Sequence, residues 1–489
     1  MSLAQCRSAL LALATCLLAG CAGTHETAMW PDLHHSMVPP LPRECDVAKY
    51  GAVGDGLTKD TAALQRAIDD CATGNGGVAV LAKGTFLSGT LFLRSSVTLQ
   101  VVKGATLLGS RDDADYPLLS PPTHNTELVH LRHALVYAEG ADHVRIQGQG
   151  TIDGNADIDR WRGMALPEGE RPMAVFTALS RKVSMQGVTV RNAGTWAVVH
   201  LEVNGLSITG ITVDSPLGPT HDGIDVVDGH DVLIQGSTIN SGDDGICLKS
   251  GSAVGLSDVV VRGDYIRGAG VANGLKLGTA SVGPMRHVLF EDIDIENAQA
   301  AGMAVESVDG GEVSDVTFRH IRMVDVGTPV FMLLGARGSA RVGAIHDIHF
   351  DGLRGAELRY PWGSLLSGAP PDAAGRHDLQ AITFDDVEIT WRGATDARGP
   401  HVFGSRPADA ARFPAYAGGY PDAKFLFATP GAKAEVIDYA LPGYAFFVRN
   451  ARGVRFGDCR ATVQGVDKRD AIVTHDAALE GACTREPGP

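Results

Sequence analysis

Three aspartates in two short segments have the types and the spacing of an acid/base site. Asp222 lies in the segment THDGID, and Asp243 and Asp244 follow 21 and 22 residues later in SGDDGICLKSG. This step fits one turn of a β solenoid, in which strands of neighbouring turns lie about 4.8 Å apart. Three carboxylates within about 5 Å do not all ionise easily, so the pKa of one should rise. Such a set suits hydrolysis of a glycosidic bond, which needs a protonated acid and an ionised base.

Two other uses of clustered aspartates compete with this interpretation. A single Asp at a corner of a solenoid usually forms a turn, and a cluster of carboxylates also suits calcium. A pair of aspartates stacked on a third, one turn away, is harder to explain as turn chemistry. The pattern therefore favours acid/base chemistry without a metal or a cofactor.

The elements that must position these aspartates are short β-rich segments of one kind. Apolar residues alternate at period two within each segment, and Gly, Asp or Asn follows almost every one as a turn residue. Between Lys182 and Asp347 the steps are 23 to 32 residues, which predicts an all-β fold, a single-stranded right-handed parallel β-helix. The segments begin at His143, Lys182, Gly205, Asp231, Asp258, His287, Asp315, Asp347, Ala381 and Gly453.

Four regions are expected along the chain. Residues 1–20 are a signal peptide, residues 21–42 a tether, and residues 43–489 the β-helix, with an irregular aromatic-rich insertion at about 392–447. The helical apolar spacing in Asp60–Cys71 predicts a short helix that caps the open end of the solenoid. The aromatic insertion is interpreted either as a local apolar cluster or as a sugar-stacking wall beside a cleft.

The first twenty residues have the pattern of an export signal. Arg7 precedes an apolar run, Ala9 to Leu18, that is too short to stay in the bilayer as a span. Cys21 follows small residues, as in bacterial lipoproteins, and is expected to be lipidated. We therefore expect an exported lipoprotein of the outer membrane or the periplasm, and a plain secretory signal is the alternative.

The composition narrows the choice of partners. The chain has 489 residues with 42 Lys+Arg and 57 Asp+Glu, which gives a net charge of −15. This acidic balance disfavours nucleic acid and anionic membrane surfaces, so we expect the lipid to be the sole membrane contact. Hydrophobic residues make up 44% of the chain, enough for a large core, and we expect a monomer.

Five of the eight cysteines follow Cys21. Export permits disulfides, and proximity in sequence makes Cys45–Cys71 and Cys459–Cys483 plausible pairs. Cys247 is then the odd thiol, with a structural role. The absence of a CxxC motif leaves a zinc ribbon without support.

Taken together, the motifs resemble glycoside hydrolase family 28, the polygalacturonase family. Gly242-Asp243-Asp244 matches the family's Gly-Asp-Asp, and Asp222 matches the Asp of its Asn-Thr-Asp, which falls on Thr220-His221-Asp222. The opening VAKYGAVGDGLTKDTAALQRAI, from Val47, is similar to that of the exo-acting bacterial members. Further matches are FLSGTLFLRSSVTLQ, GATLLGSRDDADYP, GQGTIDG and Trp196.

The resemblance implies an inverting, exo-acting hydrolase of pectic polysaccharide or its oligosaccharides. Asp243 would be the general acid, and Asp222 and Asp244 would hold and activate the water. Two alternatives stay open. One is a pectate-lyase-like enzyme with calcium and an Arg base, and the other is a non-catalytic surface β-helix that binds glycan.

Two departures from the family pattern concern the substrate. The family's Gly-His-Gly falls on Ala272-Asn273-Gly274, so Asn273 replaces a histidine of the site. The family's Arg-Ile-Lys, which grips the galacturonate carboxylate, falls on Ala304-Val305-Glu306. Glu306 would repel a carboxylate, so a neutral or differently placed acidic sugar is expected at the cleavage point.

Two lysines could replace the missing positive charges. The alternation of inward apolar residues places Lys249 and Lys276 on the outward face, together with Asp225. The lysines either hold a substrate carboxylate or pair with Asp225 and Glu306. We therefore count Asn273, Lys276, Lys249, Glu306 and Asp225 as candidate substrate-binding residues.

Overall fold

The computed structural model describes residues 43–157, 168–270, 272–337, 341–393 and 441–487. The predicted signal and tether, with Cys21, and residues 394–440 of the aromatic-rich insertion lie outside the described residues. Within the described ranges, no helix is long and apolar enough to cross a membrane.

The strands are short and numerous, and a single α-helix is found among the described residues. The helix α1 is Thr61–Cys71, and 3₁₀ turns lie at Val47–Tyr50, Asp113–Asp115, Thr126–Val129 and Glu168–Glu170. The strands are β1 Glu44–Asp46, β2 Asp55–Lys59, β3 Gly77–Leu81, β4 Gly84–Ser88, β5 Leu91–Phe92, β6 Val97–Val101, β7 Ala105–Gly109, β8 Ala134–Glu139, β9 Arg145–Gly148, β10 Thr151–Asp153, β11 Met173–Ala178, β12 Arg181–Gln186, β13 Thr189–Arg191, β14 Val198–Leu201, β15 Asn204–Thr209, β16 Thr212–Ser215, β17 Ile224–Val227, β18 His230–Gln235, β19 Thr238–Ser241, β20 Ile246–Ser250, β21 Leu256–Arg262, β22 Tyr265–Ala269, β23 Leu275–Ser281, β24 Met285–Glu296, β25 Ala301–Ser307, β26 Glu312–Val324, β27 Thr328–Leu334, β28 Ala344–Ala356, β29 Ser364–Ser367, β30 Ala369–Asp372, β31 Gly375–His377, β32 Leu379–Arg392, β33 Phe446–Phe456, β34 Cys459–Gln464, β35 Ile472–Glu480 and β36 Thr484–Pro487.

All but β30 and β31 belong to one sheet whose strands pair in parallel, coil upon coil. They form three ladders. Ladder I runs through β5, β8, β11, β14, β17, β20, β23, β25, β27, β29, β33 and β35. Ladder II runs from β1 through β3, β6, β9, β12, β15, β18 and β21, and ladder III from β2 through β4, β7, β10, β13, β16, β19 and β22; the long strands β24, β26, β28 and β32 turn from ladder II into ladder III. The predicted right-handed parallel β-helix is confirmed.

The repeated segments of the sequence lie along ladder II, and each begins at a corner of the coil. The first residue of every one of these ten segments has a positive φ, between 51° and 76°. An L-residue rarely adopts this conformation, and Asp, Asn and His tolerate it better than most non-glycine residues. The recurrent Asp or His at this position therefore encodes the corner that separates ladder I from ladder II.

Inward side chains of all three ladders form one continuous apolar core. Five phenylalanines at one repeated position of ladder II stack with near-parallel rings, 4.5–5.0 Å between centroids. Adjacent coils lie at nearly the same spacing, so identical residues at one register position stack directly. The phenylalanines are Phe290, Phe318, Phe350, Phe384 and Phe456.

Each end of the solenoid contains a disulfide, and the amino-terminal end also has a capping helix. The predicted capping helix is confirmed as α1, which buries Leu64, Ala67 and Ile68 against the first coils. At the amino-terminal end, the disulfide Cys45–Cys71 joins β1 to α1. At the carboxyl-terminal end, the disulfide Cys459–Cys483 joins β34 to the residue before β36. Both pairs were predicted from their proximity in sequence. Cys247 is the free, buried thiol.

Candidate active site

The predicted stacking of the three aspartates is observed at the amino ends of ladder I strands. Ile224 of β17 pairs with Ile246 of β20, and Ile246 pairs with Leu275 of β23. The same register, extended by two residues, places Asp222 under Asp244 and Asp244 under Asn273. Main-chain hydrogen bonds from Gly223 N to Asp244 O (2.9 Å) and from Gly245 N to Asn273 O (2.8 Å) hold this alignment.

A glycine follows each member of this stack, and close packing explains the choice. A Cβ at Gly223 would lie 2.5 Å from the carbonyl oxygen of Gly245, and one at Gly245 would lie 2.6 Å from that of Gly274. Only glycine permits such an approach between adjacent coils. The recurrent Asp-Gly and Asn-Gly pairs therefore bring the polar side chains as close as the strand spacing allows.

Lys249 joins two of the carboxylates. Its Nζ lies 3.0 Å from Asp222 Oδ2 and also contacts Asp225 Oδ1, and the side chains of all three residues are nearly or fully buried. The ammonium also lies over the Trp196 ring, 3.7 Å from its centroid. The sequence left two roles open for this lysine, which were holding a substrate carboxylate and pairing with Asp225. The pair with Asp225 is observed, and Lys249 forms a second ion pair with Asp222.

Asp244 is held by two neighbours from the next coil. Lys276 Nζ donates to Oδ2 at 2.7 Å, and Asn273 donates to Oδ1 through its main-chain N–H (3.0 Å) and its Nδ2 (2.7 Å). Charge-assisted hydrogen bonds of this kind favour the ionised carboxylate. Asn273, which stands at the position of the family's histidine, thus contacts a catalytic candidate directly.

Asp243 has different surroundings. It accepts main-chain N–H bonds from Thr220 at Oδ2 (2.8 Å) and from Asp244 at Oδ1 (3.0 Å). It is half-buried, whereas Asp222 and Asp244 are buried. Of the three aspartates, Asp243 is therefore the one most open to solvent.

Burial dominates the electrostatics of the cluster. It raises the pKa of Asp222 well above its usual range, and the charges of Asp225, Asp243 and Asp244 add to the effect while Lys249 opposes it. Burial likewise raises the pKa of Asp225 to about 6, against the opposing charge of Lys249. Burial alone would lower the pKa of Lys249, but the surrounding carboxylates outweigh it and keep the ammonium charged.

The arrangement does not suit a metal ion. Oxygens of Asp222 and Asp225 and the Cys247 sulfur lie within 4.8 Å of one another. The ammonium of Lys249, however, already lies against both aspartates. Burial also raises the pKa of the Cys247 thiol well above its usual value, so it stays protonated and is a poor ligand.

A segment between β7 and β8 closes the amino-terminal side of the site. Leu119, Leu128 and Leu131 pack on the outward face of ladder I, over β8, β11 and β14. The His130 ring stacks on Trp196 with 5.9 Å between centroids, and Thr126 N donates to Gly251 O at 2.8 Å. The segment therefore covers the outward face of ladder I over β8, β11 and β14, and it also contacts the chain at the carboxyl ends of β17 and β20.

On the carboxyl-terminal side, the outward face of ladder I is apolar. Ala304, which stands where the family has Arg, pairs with Lys276 on one side and Phe331 on the other. Glu306 is fully buried and accepts a hydrogen bond from Thr279 Oγ1 at 3.3 Å. Its charge helps to raise the pKa of Lys276, although burial opposes this. Contact of Glu306 with substrate stays a prediction.

Two interpretations of the sequence are refined. Lys249 and Lys276 were candidates for holding substrate, but each forms an ion pair with a stacked aspartate. Tyr444 and Phe446, at the end of the aromatic-rich insertion, are core residues rather than a sugar-stacking wall. Their burial follows from the pairing of β33 with β29, a long-range register that local composition does not encode.

Sequence reasoning missed one arginine. Arg171 is buried beside Thr220, which lies two residues before Asp222, the first aspartate of the stack. Arg171 precedes Pro172, just before β11, and it belongs to no periodic pattern that would indicate a functional role. Only the stacking of coils brings it to the site.

Comparison with known proteins gives the same assignment. A model of "Glycosyl hydrolases family 28" matches residues 84–334, and a model of "Rhamnogalacturonase A/epimerase, pectate lyase-like" matches residues 45–105.

Relatives with known names and structures agree. The chain is 29% identical over 258 residues to an exo-poly-alpha-D-galacturonosidase of Dickeya chrysanthemi, a match that covers 43% of this chain and 42% of that protein. It is 27% identical over 373 residues to a probable polygalacturonase of Vitis vinifera, covering 73% and 70%. The crystal structure of a hyperthermoactive exopolygalacturonase from Thermotoga maritima superimposes with a TM-score of 0.63 at 21% identity, covering 73% of this chain and 88% of that one.

The family match spans the coils that carry the stacked aspartates, and its fold is the one observed. The chain therefore belongs to glycosyl hydrolases family 28 and is a glycoside hydrolase.

Proposed function

We propose that this enzyme hydrolyses glycosidic bonds of pectic polysaccharide, or of its oligosaccharides, from a chain end and with inversion. The observation that carries the proposal is the stack of Asp222 and Asp244 beside the more open Asp243, with two buried lysines bound to the stack. Family membership supports glycoside hydrolysis, and the names of the Dickeya, Vitis and Thermotoga relatives support a pectic substrate.

The three aspartates divide the work of the reaction. Asp243, the most exposed, donates its proton to the glycosidic oxygen as the bond to the anomeric carbon breaks. Asp244, which accepts hydrogen bonds from Lys276 and Asn273, takes the proton of the water as its oxygen attacks that carbon, and Asp222 helps to hold and activate that water. Proton exchange with solvent then restores the starting state. In many glycosidases the separation of the two carboxylates predicts the stereochemical outcome. Here the close spacing of stacked coils makes that separation a poor guide.

Exo action is supported by the covered face of ladder I. Leu119, Leu128 and Leu131 fill the space over β8, β11 and β14, and Trp196 lies at the edge of this cover. A long polymer that ran along the ladder would collide with this segment one coil before Asp222. A chain end, by contrast, fits against it.

A neutral or differently placed acidic sugar is proposed at the cleavage point. Ala304 and Glu306 replace the cations of the family, and Lys249 and Lys276 are already neutralised by buried aspartates. A desolvated carboxylate without a cationic partner costs several kcal/mol, so galacturonate there would bind poorly. A neutral hydroxylated ring avoids that cost.

The test compares initial rates on polygalacturonate and on rhamnogalacturonan oligosaccharides, with products resolved by mass. We expect release of single terminal sugars, faster from the rhamnogalacturonan fragments. Faster release of galacturonic acid from polygalacturonate would show that other groups replace the missing cations. An unsaturated, ultraviolet-absorbing product would instead indicate a lyase.

We further propose that the enzyme is an exported, monomeric lipoprotein anchored through Cys21. The apolar run before Cys21 and the small residues next to it support lipidation. Cys21→Ser should release soluble protein in a membrane fractionation. Unchanged membrane association in that variant would contradict the lipoprotein assignment.

A further inference from the structure

Arg171 is a buried cation that the reaction described above does not use. Its residue surface is 1% exposed, and it lies between the 3₁₀ turn Glu168–Glu170 and strand β11. Its guanidinium donates to Gly194 O at 3.1 Å and to Thr220 Oγ1 at 2.5 Å. Arginine reaches both acceptors because its donors form a rigid, planar fork. Arg171 thus links the coil of β14 to the turn that precedes Asp222.

Thr220 has a strained main chain. Its φ is +65°, a conformation that is unfavourable for a β-branched residue and persists only where neighbours enforce it. Three contacts enforce it here. Thr220 Oγ1 accepts from Arg171 and donates to Pro219 O at 2.6 Å, and Thr220 O accepts from Thr195 Oγ1 at 3.0 Å.

The strained turn fixes the direction of one main-chain N–H group. Thr220 N donates to Asp243 Oδ2 at 2.8 Å, so the turn aims a donor at the proposed general acid. The other oxygen of Asp243 is held by its neighbour's main chain, at Asp244 N. Relaxation of Thr220 toward negative φ would turn its N–H away and leave the carboxyl free to rotate.

We propose that Arg171 is a positioning residue for Asp243, acting through the hydroxyl and the strained main chain of Thr220. The inference rests on the proposed function of Asp243 as general acid. Arg171 is too deeply buried to touch substrate, so its proposed effect on Asp243 passes through its hydrogen bond to Thr220. Loss of this restraint should slow the proton transfer without weakening substrate binding.

The test is a double-mutant cycle of Arg171→Gln and Thr220→Gly. Glycine keeps the positive φ and the N–H but loses the hydroxyl that Arg171 holds. Each single change should lower kcat by about 10–100-fold, the scale of a misplaced catalytic group, with KM changed less than about twofold. The double variant should lose no more than the worse single variant, because both changes break one path. Thr220→Ser, which keeps the hydroxyl, should stay within about threefold of wild type.

A matched control separates positioning from stability. Arg469 is another largely buried arginine, which donates to Leu441 O and Pro361 O near the carboxyl-terminal end of the solenoid. Arg469→Gln should lower Tm and leave kcat unchanged. If Arg171→Gln fails to fold, the pair Thr220→Gly and Thr220→Ser carries the test by itself.

Three results would overturn the inference: wild-type kcat in Arg171→Gln, multiplying losses in the double variant, or equal loss of kcat in Thr220→Ser and Thr220→Gly. An inactive wild-type chain on every pectic substrate would instead contradict the proposed function. The two failures are therefore distinguishable.

Discussion

Ladders I and III both place charged side chains on their outward faces, but in opposite environments. On ladder I, Lys249 and Lys276 bind aspartates whose side chains are 0–6% exposed. On the continuous strands that lead from ladder II into ladder III, the pair Arg322–Asp294 has side chains that are 57% and 44% exposed. The same stacking of coils produces both sets of pairs.

The difference lies in burial. The charged side chains of the ladder I pairs are buried, so they lose water, and the pKa of Asp222 rises. Charges that keep their water interact weakly and are screened by salt. Equivalent pairs between stacked coils therefore differ in strength according to how much water each face excludes.

Asp243→Asn should have the largest effect, because it removes the proposed proton donor while keeping the shape of the side chain. We expect kcat to fall about 10²–10⁴-fold, as is usual for a lost acid/base group. The measurement is reducing-sugar release, with Tm to confirm an intact fold. Asp294→Asn, on the exposed face, should leave kcat unchanged, and retained activity in Asp243→Asn would refute the assignment.

Removing one lysine from the buried face compares the two ladders directly. Lys276→Met leaves Asp244 buried without its cation, which should cost about 3–5 kcal/mol of unfolding free energy. Arg322→Met on the exposed face should cost at most about 1 kcal/mol. Denaturant unfolding of both variants gives the measurement. Equal losses would mean that burial does not set the strength of these pairs.

The pH dependence of stability should depend on buried carboxyls away from the site as well. Asp264, between β21 and β22, accepts from Ser237 N at 2.7 Å, and its Oδ2 has no partner in the described part of the chain. Burial raises its pKa from 3.8 to about 7. Its protonated form is favoured in the folded state, so its contribution is complete below pH 3.8 and is lost as pH rises through about 7.

Asp264→Asn, a neutral mimic of the protonated acid, should therefore remove part of this decline. Stability of the variant should match wild type near pH 4 and exceed it at pH 8, in thermal melts at both pH values. A parallel decline in wild type and variant would place the pH dependence elsewhere. Other carboxyls of raised pKa are Asp222 and, each at about 6, Asp225 and Asp228.

The smallest expected effect concerns the cation–π contact between Lys249 and the Trp196 ring. Trp196→Leu removes the ring beneath the ammonium, a contact of about 1 kcal/mol, and should lower kcat/KM by about fivefold. Trp196→Phe keeps a ring and should lie between the leucine variant and wild type. An unchanged kcat/KM in the leucine variant would show that the ion pairs alone hold Lys249.

Much of the fold was predictable because it repeats. Apolar alternation and corner residues recur in segment after segment, so each local signal supports the next, and the register of 22 residues between Asp222 and Asp244 follows from them. The disulfide pairs were predictable because each joins two cysteines that are close in sequence, with separations of 26 and 24 residues. The stack of Phe290, Phe318, Phe350 and Phe384 was readable in principle, since one column of the aligned segments contains these residues.

The sequence did not predict which residues the charged side chains of the site contact. Alternation places Lys249 and Lys276 outward but does not say which carboxylate each reaches, because a long side chain spans more than one coil. The contact of Arg171 with Thr220 joins residues 49 positions apart that share no repeat. Burial of Glu306 also depends on what covers the outward face, which periodicity does not encode.

The sequence by itself determined the solenoid and the stacking of Asp222 under Asp244, because strand alternation and coil length are local properties. Tertiary structure decided the states of those groups. Burial among the assembled coils raises the pKa of Asp222, lysines from the following coils neutralise the stack, and the fold imposes a strained Thr220. Charge energies depend on distance and on excluded water, and both exist only once the coils and their cover are assembled.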